Sequence, residues 1–466
     1  MQSANASAPP NAERSAPGSL NRSPWLEQLP QRAPMPALQG AQETDVTVVG
    51  AGIAGVATAF FLLRETAHRV VLLEANRVAH GASGFNAGQL VTYFERPICR
   101  LAEDFGIAKA VAGQRDVDAA WGLLDLILGE SEFVEPTPRF VGHMGMFTLN
   151  HLTVHLQNNL MRKRGGLVRE QIRISREAPF VADIPAEFAG LYELVPQERV
   201  QVLLETDDPR YLAVLSNRKG CMNSALICEH LIHYLAASYG PRFQCYEHSP
   251  VVRVELAAGK ARALTPEGQL QSHRLVLCTN GFVGVELANA DGPEIALPVM
   301  VEGTIGYMAG MLTEGSCKPG ANSYLMSPRI GEGQAYYYTT RRPFAREGKL
   351  HTLTCIGGPD SPQPREQEYD RQAPYPPAAL NKLNAHIAPV MGWPDGHTPR
   401  YDYLWHGLMG YTPNQVRMIG PNPRNATLLY NLGCNGVGLL PAIHGAWRVS
   451  QAIQGARIEP SMFDPA

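Results

Sequence analysis

The chain has 466 residues, 45% of them hydrophobic and 18% charged, a globular composition long enough for two domains or one large one. Its 40 basic and 43 acidic residues leave a formal charge of −3, with the arginines scattered, which argues against nucleic acid as a partner. Eight cysteines show neither CxxC nor zinc spacing, so they read as reduced thiols of a cytoplasmic protein with no metal.

The first 40 residues hold seven prolines and no basic start followed by an apolar core, so no secretory signal is expected and residues 1–20 read as disordered. "SPWLEQLP" (23–30) differs, because Trp25, Leu26 and Leu29 are suited to dock an arm on the body. The longest apolar run, 46–63, is broken by Thr and Gly and ends at Arg64; it reads as strand, turn and helix rather than a membrane span.

"DVTVV" (45–49) is a buried parallel strand by pattern, and Gly50, Gly52 and Gly55 follow it as GxGxxG. Gly50 permits a tight turn, Gly52 lets backbone N–H groups approach a pyrophosphate, and Gly55 lets a helix pack close to the strand. That helix opens at Ile53 and Ala54 and runs to about residue 66, its N-terminus favouring the anion. The next strand, "RVVLLE", ends at Glu74, beside Ala75. A carboxylate there accepts bonds from ribose hydroxyls and repels the 2′-phosphate of NADP. The stretch that follows, "ANRVAHGASGFNAGQLV", is rich in small residues: Gly81, Ala82, Ser83, Gly84, Ala87 and Gly88. Such a narrow channel suits the ribityl chain of FAD, with Ser83 and Asn86 as phosphate donors; a surface loop is the alternative.

"GASGFNAGQ" (81–89) resembles the hallmark "GASGRNGGQ" of the D-amino-acid-oxidase-like family of FAD-dependent oxidoreductases, in its γ-glutamylputrescine oxidase-like branch of amine oxidoreductases. Phe85 stands where that branch has Arg. The resemblance runs over about residues 40–455. It implies that Ser83, Asn86 and Gly88 face the pyrophosphate and that Gln89 and Leu90 lie near the flavin. "GCMNSALICEHLIHYLAASYG" (220–240) resembles a family helix whose first turn Asn223 and Ser224 cap. Residues 249–282 resemble the adenine-side β-meander, which brings Val251 and Val252 to adenine and Thr279 and Gly281 to the phosphates. "WHGLMGYTPNQVRMIGP" (405–421) and "NLGCNGVGLLPAIHGAW" (431–447) resemble the C-terminal signature pair. In the second, Gly433, Gly436, Val437 and Gly438 form a turn opening a helix at Leu439, whose N-terminus would stabilise the charge of reduced flavin. No second GxGxxG occurs, so electrons are expected from an organic substrate.

The expected architecture is α/β: a Rossmann-like FAD-binding domain from 41–95, 211–290 and 398–458, and a mixed-sheet α+β substrate domain from 96–210 and 291–397, preceded by the arm at 1–40. Residues 101–130 read as helices; 142–149, 302–311, 334–342 and 350–358 read as strands. Residues 359–377 read as a polar, proline-rich connection.

The chemistry the resemblance implies is oxidation of a C–N bond, hydride passing to flavin and the imine then hydrolysing. In "AYYYTTRR", Tyr336 and Tyr338 share one face and Tyr337 takes the other. The expectation is that Tyr337 meets the flavin and substrate. Arg341 and Arg342 are candidates to pair with a substrate carboxylate, as is Arg96, and His406 is a candidate base. His80 is near the phosphate channel but not placed for a covalent link. Family members that oxidise N-methyl amino acids carry a carboxylate-binding Lys where this chain has Leu440, and a covalent Cys where it has "HGLMGY". Noncovalent FAD and a small amine or amino-acid substrate are therefore expected. "LTCIGG" has no Lys to activate oxygen, which leaves the electron acceptor open. The alternative is a flavin-binding subunit that needs a partner chain for turnover.

Overall fold

Val46–Val49 and Val70–Leu73 are β-branched or leucine-rich and buried along their whole length, as strands covered on both faces must be. They pair in parallel and are joined by helix Ile53–Glu65. The structure is a computed structural model describing residues 20–257, 259–328, 336–394, 397 and 399–465. The expectation of disorder at the N-terminus falls on residues outside that description.

Arg274–Leu277 and Asn425–Leu432 extend the parallel run on one side and Phe243–Tyr246 on the other. Met418–Asn422 closes one edge in antiparallel sense, giving six strands. Helix Ile53–Glu65 is buried at every position from Ile53 to Leu63. It can be apolar all round because Ser224–Tyr239 and Leu439–Ile453 pack on its flanks. On the other face of the sheet, Val49, Leu73, Leu277 and Tyr430 meet Val254, Ala263 and Leu270 of a five-stranded meander. The result is three layers: helices, parallel sheet and meander.

The second large element is a ten-stranded mixed sheet. Its long antiparallel strands are Glu302–Glu314, Tyr336–Arg346, Lys349–Pro362 and Tyr403–Tyr411. Gly320–Leu325 pairs in parallel with Arg139–Met146, which pairs antiparallel with Ala213–Cys221. Ala213–Cys221 and Tyr403–Tyr411 thus run in this sheet although their neighbours in sequence belong to the parallel layer. Helices Ile98–Phe105 and Ile107–Glu130 cover the region where helices were expected. At 142–149 the strand stops at Met146, and a helix capped by Thr148 begins at Leu149. The connection expected from 359 is shortened because the preceding strand continues to Pro362.

The arm is docked, and through specific bonds. Ser23 Oγ accepts from Trp25 N (3.2 Å) and donates to Gly84 O (2.5 Å), capping the short helix Pro24–Glu27. Trp25 is fully buried, and its indole N–H donates to Asn86 O at 2.6 Å. Farther along, Arg32 pairs with Glu229 (2.8 Å) and Glu247 (2.6 Å). Those pairs hold Glu247 at about pKa 2: the Arg32 bonds and the Val78 and Met35 amides outweigh the opposing cost of burial. Trp25→Ala is expected to lower stability by about 3–5 kcal/mol, the usual cost of a large core truncation, and to loosen the 81–88 loop. Thermal unfolding of the variant beside the parent checks the first, and proteolysis of the loop the second.

Candidate functional site

The three layers and the mixed sheet enclose a cavity of about 1520 Å³, larger than the usual space for a drug-sized ligand. Glu74 and Val252 line one end; Tyr336, Tyr338 and Glu95 line the other.

At the first end the glycine turn is as tight as its residues allow. Gly50 has φ +102°, and a Cβ there would lie 2.9 Å from Cys278 O. A Cβ on Gly55 would lie 1.8 Å from Gly50 O, so this glycine sets the approach of helix to strand and does not itself reach the cavity. Gly52, Ile53 and Ala54 do line it. Ser83 Oγ accepts from Ile53 N at 2.8 Å, and a Cβ on Gly52 would press on that oxygen at 2.9 Å. Glu74 accepts from Ala51 N (2.8 Å) and Asn76 N (2.9 Å); burial pushes its carboxyl above the usual range. Ala75 and Val252 are beside it on the wall. The Val252 N–H is already given to Leu264 O, and its carbonyl accepts from Glu286 N.

Ala82, Ser83, Asn86, Ala87, Gly88 and Gln89 form the next stretch of wall. Asn86 departs from its expected role as a phosphate donor. Its amide Nδ2 is within 3.0 Å of Ala82 O, Ser83 O and Ser224 Oγ, and its Oδ1 accepts from Gly88 N. It braces the loop, and its donors are spent there. Gln89 donates to Thr340 Oγ1 at 2.7 Å, tying the loop to the mixed sheet. Leu90 does not face the cavity: it is fully buried and pairs with Gly220. Thr279, beside the Gly50 turn, and Gly281 also line the wall, and Thr279 Oγ1 is buried without a protein partner. Gly436, Val437, Gly438 and Leu439 complete this part; Gly433, with φ +82°, stays behind it and shapes the turn. Helix Leu439–Ile453 opens at Gly438 with no side-chain cap. An orphaned hydroxyl, an uncapped helix start and glycines that a Cβ would fill together fit an extended anionic nucleotide.

The far end corrects the expectations for catalysis. Tyr337 lies on the opposite face of its strand, buried in a separate core beside Tyr324, Tyr375 and His386. The faces alternate as expected, but it is Tyr336 and Tyr338, not Tyr337, that look into the cavity. Arg341 pairs with Glu205, away from the cavity. Arg342 is buried with its guanidinium 5.3 Å from the Trp25 ring centre. His406 does not line the cavity either. Its Nε2 donates to Ala373 O (2.9 Å), so Nδ1 accepts from Tyr369 OH (2.9 Å), and burial lowers the imidazole pKa. Arg96 does line the wall but is paired with Asp104. His80 bonds Val78 O through Nδ1.

The residues the sequence reading missed are Glu95, Tyr93 and Asp360. Tyr336 OH donates to Glu95 Oε1 at 2.5 Å. Burial, with a smaller push from Asp360, raises the Glu95 carboxyl to about 7 against the opposing Tyr336 bond and the pull of Lys219. Tyr93, Tyr338 and Tyr411 share the same wall. A Cβ on Gly436 would lie 2.7 Å from Glu95 Cγ, so the acid adjoins the C-terminal glycine turn. The signal was present, since Tyr93 and Glu95 alternate just beyond Gln89, but nothing local said which strand they would meet.

A family model described as DAO, FAD dependent oxidoreductase, matches residues 45–452. Over 78 residues the chain is 41% identical to gamma-glutamylputrescine oxidoreductase of Escherichia coli, a match covering 17% of this chain and 18% of that protein. Thus the matched stretch spans under a fifth of that relative's length. Among solved structures, the L-proline dehydrogenase of P. horikoshii superposes with a TM-score of 0.64 at 14% identity, covering 92% of this chain and 97% of that one. The glycine oxidase of Geobacillus kaustophilus gives 0.63 at 15% identity, covering 91% and 98%. At such identities the likeness is one of fold.

Gly55→Ala is expected to abolish retention of a nucleotide through the clash with Gly50 O, whereas Gly122→Ala, with open space around it, is silent. The ratio of flavin absorbance to protein absorbance in the two purified variants checks this.

Proposed function

The chain belongs to the DAO family of FAD-dependent oxidoreductases, and from that premise we propose that it oxidises the C–N bond of an amine, the imine product then taking up water. FAD, when bound, supplies the acceptor for the hydride that leaves carbon. The observation that carries the reading is the wall of Glu95, Asp360, Tyr336 and Tyr338 at one end of the cavity. No Lys or Arg forms an ion pair in direct contact with Glu95 or Asp360 among the described residues; the buried Lys219, its Nζ 5.9 Å from the Tyr93 ring centre, acts on Glu95 only at longer range. A substrate cation is the natural counter-charge for such a wall.

The roles follow from chemistry. An amine must shed its extra proton before its lone pair can assist loss of the neighbouring hydrogen. A carboxylate held near pKa 7 and facing the cavity is suited to take that proton. Tyr336 fixes the carboxylate through its hydroxyl, while Tyr338 and Tyr411 add walls that exclude water. An amino acid's carboxylate finds less here. At this end the arginines Arg96 and Arg365 are paired with Asp104 and Glu302 and Arg341 is turned away, while Arg371, which acts on Glu74, and Arg417 line other parts of the cavity. We therefore favour an amine without an α-carboxylate, with FAD held noncovalently.

Anaerobic mixing of the purified yellow protein with amines, N-methyl amino acids and D-amino acids tests the reading. Bleaching by amines is the expected outcome; bleaching only by hydroxy acids would overturn it, and none without an added partner would favour the partner-dependent subunit. The acid has its own signature. Glu95 is charged above about pH 7 and neutral below, so kcat/KM for the amine is expected to fall as pH drops through about 7. Glu95→Gln is expected to remove that limb and to lower kcat/KM about 10²- to 10⁴-fold, measured across a pH series.

A further inference from the structure

Arg417 is a buried cation, 6% exposed, on the wall of the cavity, and no part of the amine chemistry needs it. Its Nε donates to Asn431 Oδ1 at 2.6 Å and its Nη2 to Asn431 O at 2.9 Å; Nη1 reaches Gly433 O at 3.4 Å. All three acceptors are neutral. No carboxylate pairs with Arg417 among the described residues. Burial pushes the guanidinium down to about 10, which is what an uncompensated buried charge undergoes. An isolated buried charge is costly unless something answers it.

Two helix starts lie near it. Asn431, which holds the guanidinium, donates through Nδ2 to Ala442 O (3.0 Å) and reaches Ala54 O (3.4 Å). Those carbonyls belong to the first turns of Leu439–Ile453 and Ile53–Glu65, so Arg417 sits where two helix N-termini converge. The orphaned Thr279 hydroxyl is on the same cavity wall. Two helix starts, a guanidinium with no carboxylate partner among the described residues and an unpartnered hydroxyl thus belong to one cavity.

We propose that Arg417 is the protein's internal counter-charge for the diphosphate of FAD. The inference rests on FAD as cofactor and is independent of the amine reading. Two consequences follow from the electrostatics. Without the nucleotide, Arg417 is a liability to the fold; with it, the charges close.

The test measures binding to apoprotein by calorimetry, with FAD and with ADP, which carries the diphosphate and no flavin. Arg417→Met is expected to weaken both ligands about 10- to 100-fold, as for loss of a charge-assisted bond. Arg417→Lys is expected to recover part of the loss. Thermal unfolding of the Arg417→Met apoprotein is expected at or above the parent temperature, a direction that a purely structural arginine would not give. Unchanged ADP affinity with weakened FAD would overturn the proposal by assigning the residue to the flavin. Unchanged affinity for both, or an apoprotein melting well below the parent, would overturn it too.

Discussion

Asn86 is the constraint on which the cavity depends. Its side chain closes the 81–88 loop upon itself and onto Ser224, the first residue of a helix packed against the parallel layer. Its carbonyl receives two indoles, Trp25 from the arm at 2.6 Å and Trp405 from the mixed sheet at 3.2 Å. One residue thus joins the docked arm, both sheet systems and the loop that forms the cavity wall. Buried polar networks of this kind are costly when incomplete, and a fully bonded one admits a single arrangement. Gly88 confirms how little slack remains, since a Cβ there would meet the Trp25 ring at 2.9 Å.

Given that brace, the cavity changes character along its length. Near the glycine turn it offers backbone N–H groups, small residues and the positive ends of two helices. At the other end it offers carboxylates and phenols. The first is suited to a nucleotide with two phosphates, the second to a small cation. The transition occurs at Gly436, where the C-terminal turn touches Glu95. On the proposed reading, one chain separates the work of holding FAD from the work of handling the substrate proton, while keeping the two within one cavity.

Much of the nucleotide end was legible in the sequence because local rules decide it. A glycine turn between strand and helix, with an acid closing the next strand, is a pattern set by neighbours in the chain. The Asn223 cap likewise appears as expected, its Oδ1 accepting from Ala225 and Leu226 N–H groups. The substrate end is different. Tyr336, Tyr337 and Tyr338 differ only in which face of a strand they occupy, and that face is set by register against Gly320–Leu325 and Lys349–Pro362. Glu95 meets Tyr336 across 241 residues of chain, a contact no local pattern announces. His406 is a candidate by its place beside Trp405 in the C-terminal signature, yet alternation turns Gly407 to the cavity and the imidazole to Tyr369. Asn86 illustrates a further limit: its residue type permits both donation to a phosphate and bracing of a loop, and only the folded chain decides between them.

The most direct measurement is electron density for the protein crystallised with its flavin nucleotide and an unreactive amine. Continuous density is expected from Glu74, past Ser83 and Thr279, to an isoalloxazine ring beside Gly436, with the amine nitrogen against Glu95. A ring lodged elsewhere, or an amine bound away from the Glu95–Tyr336 wall, would contradict the view that one cavity unites cofactor and substrate.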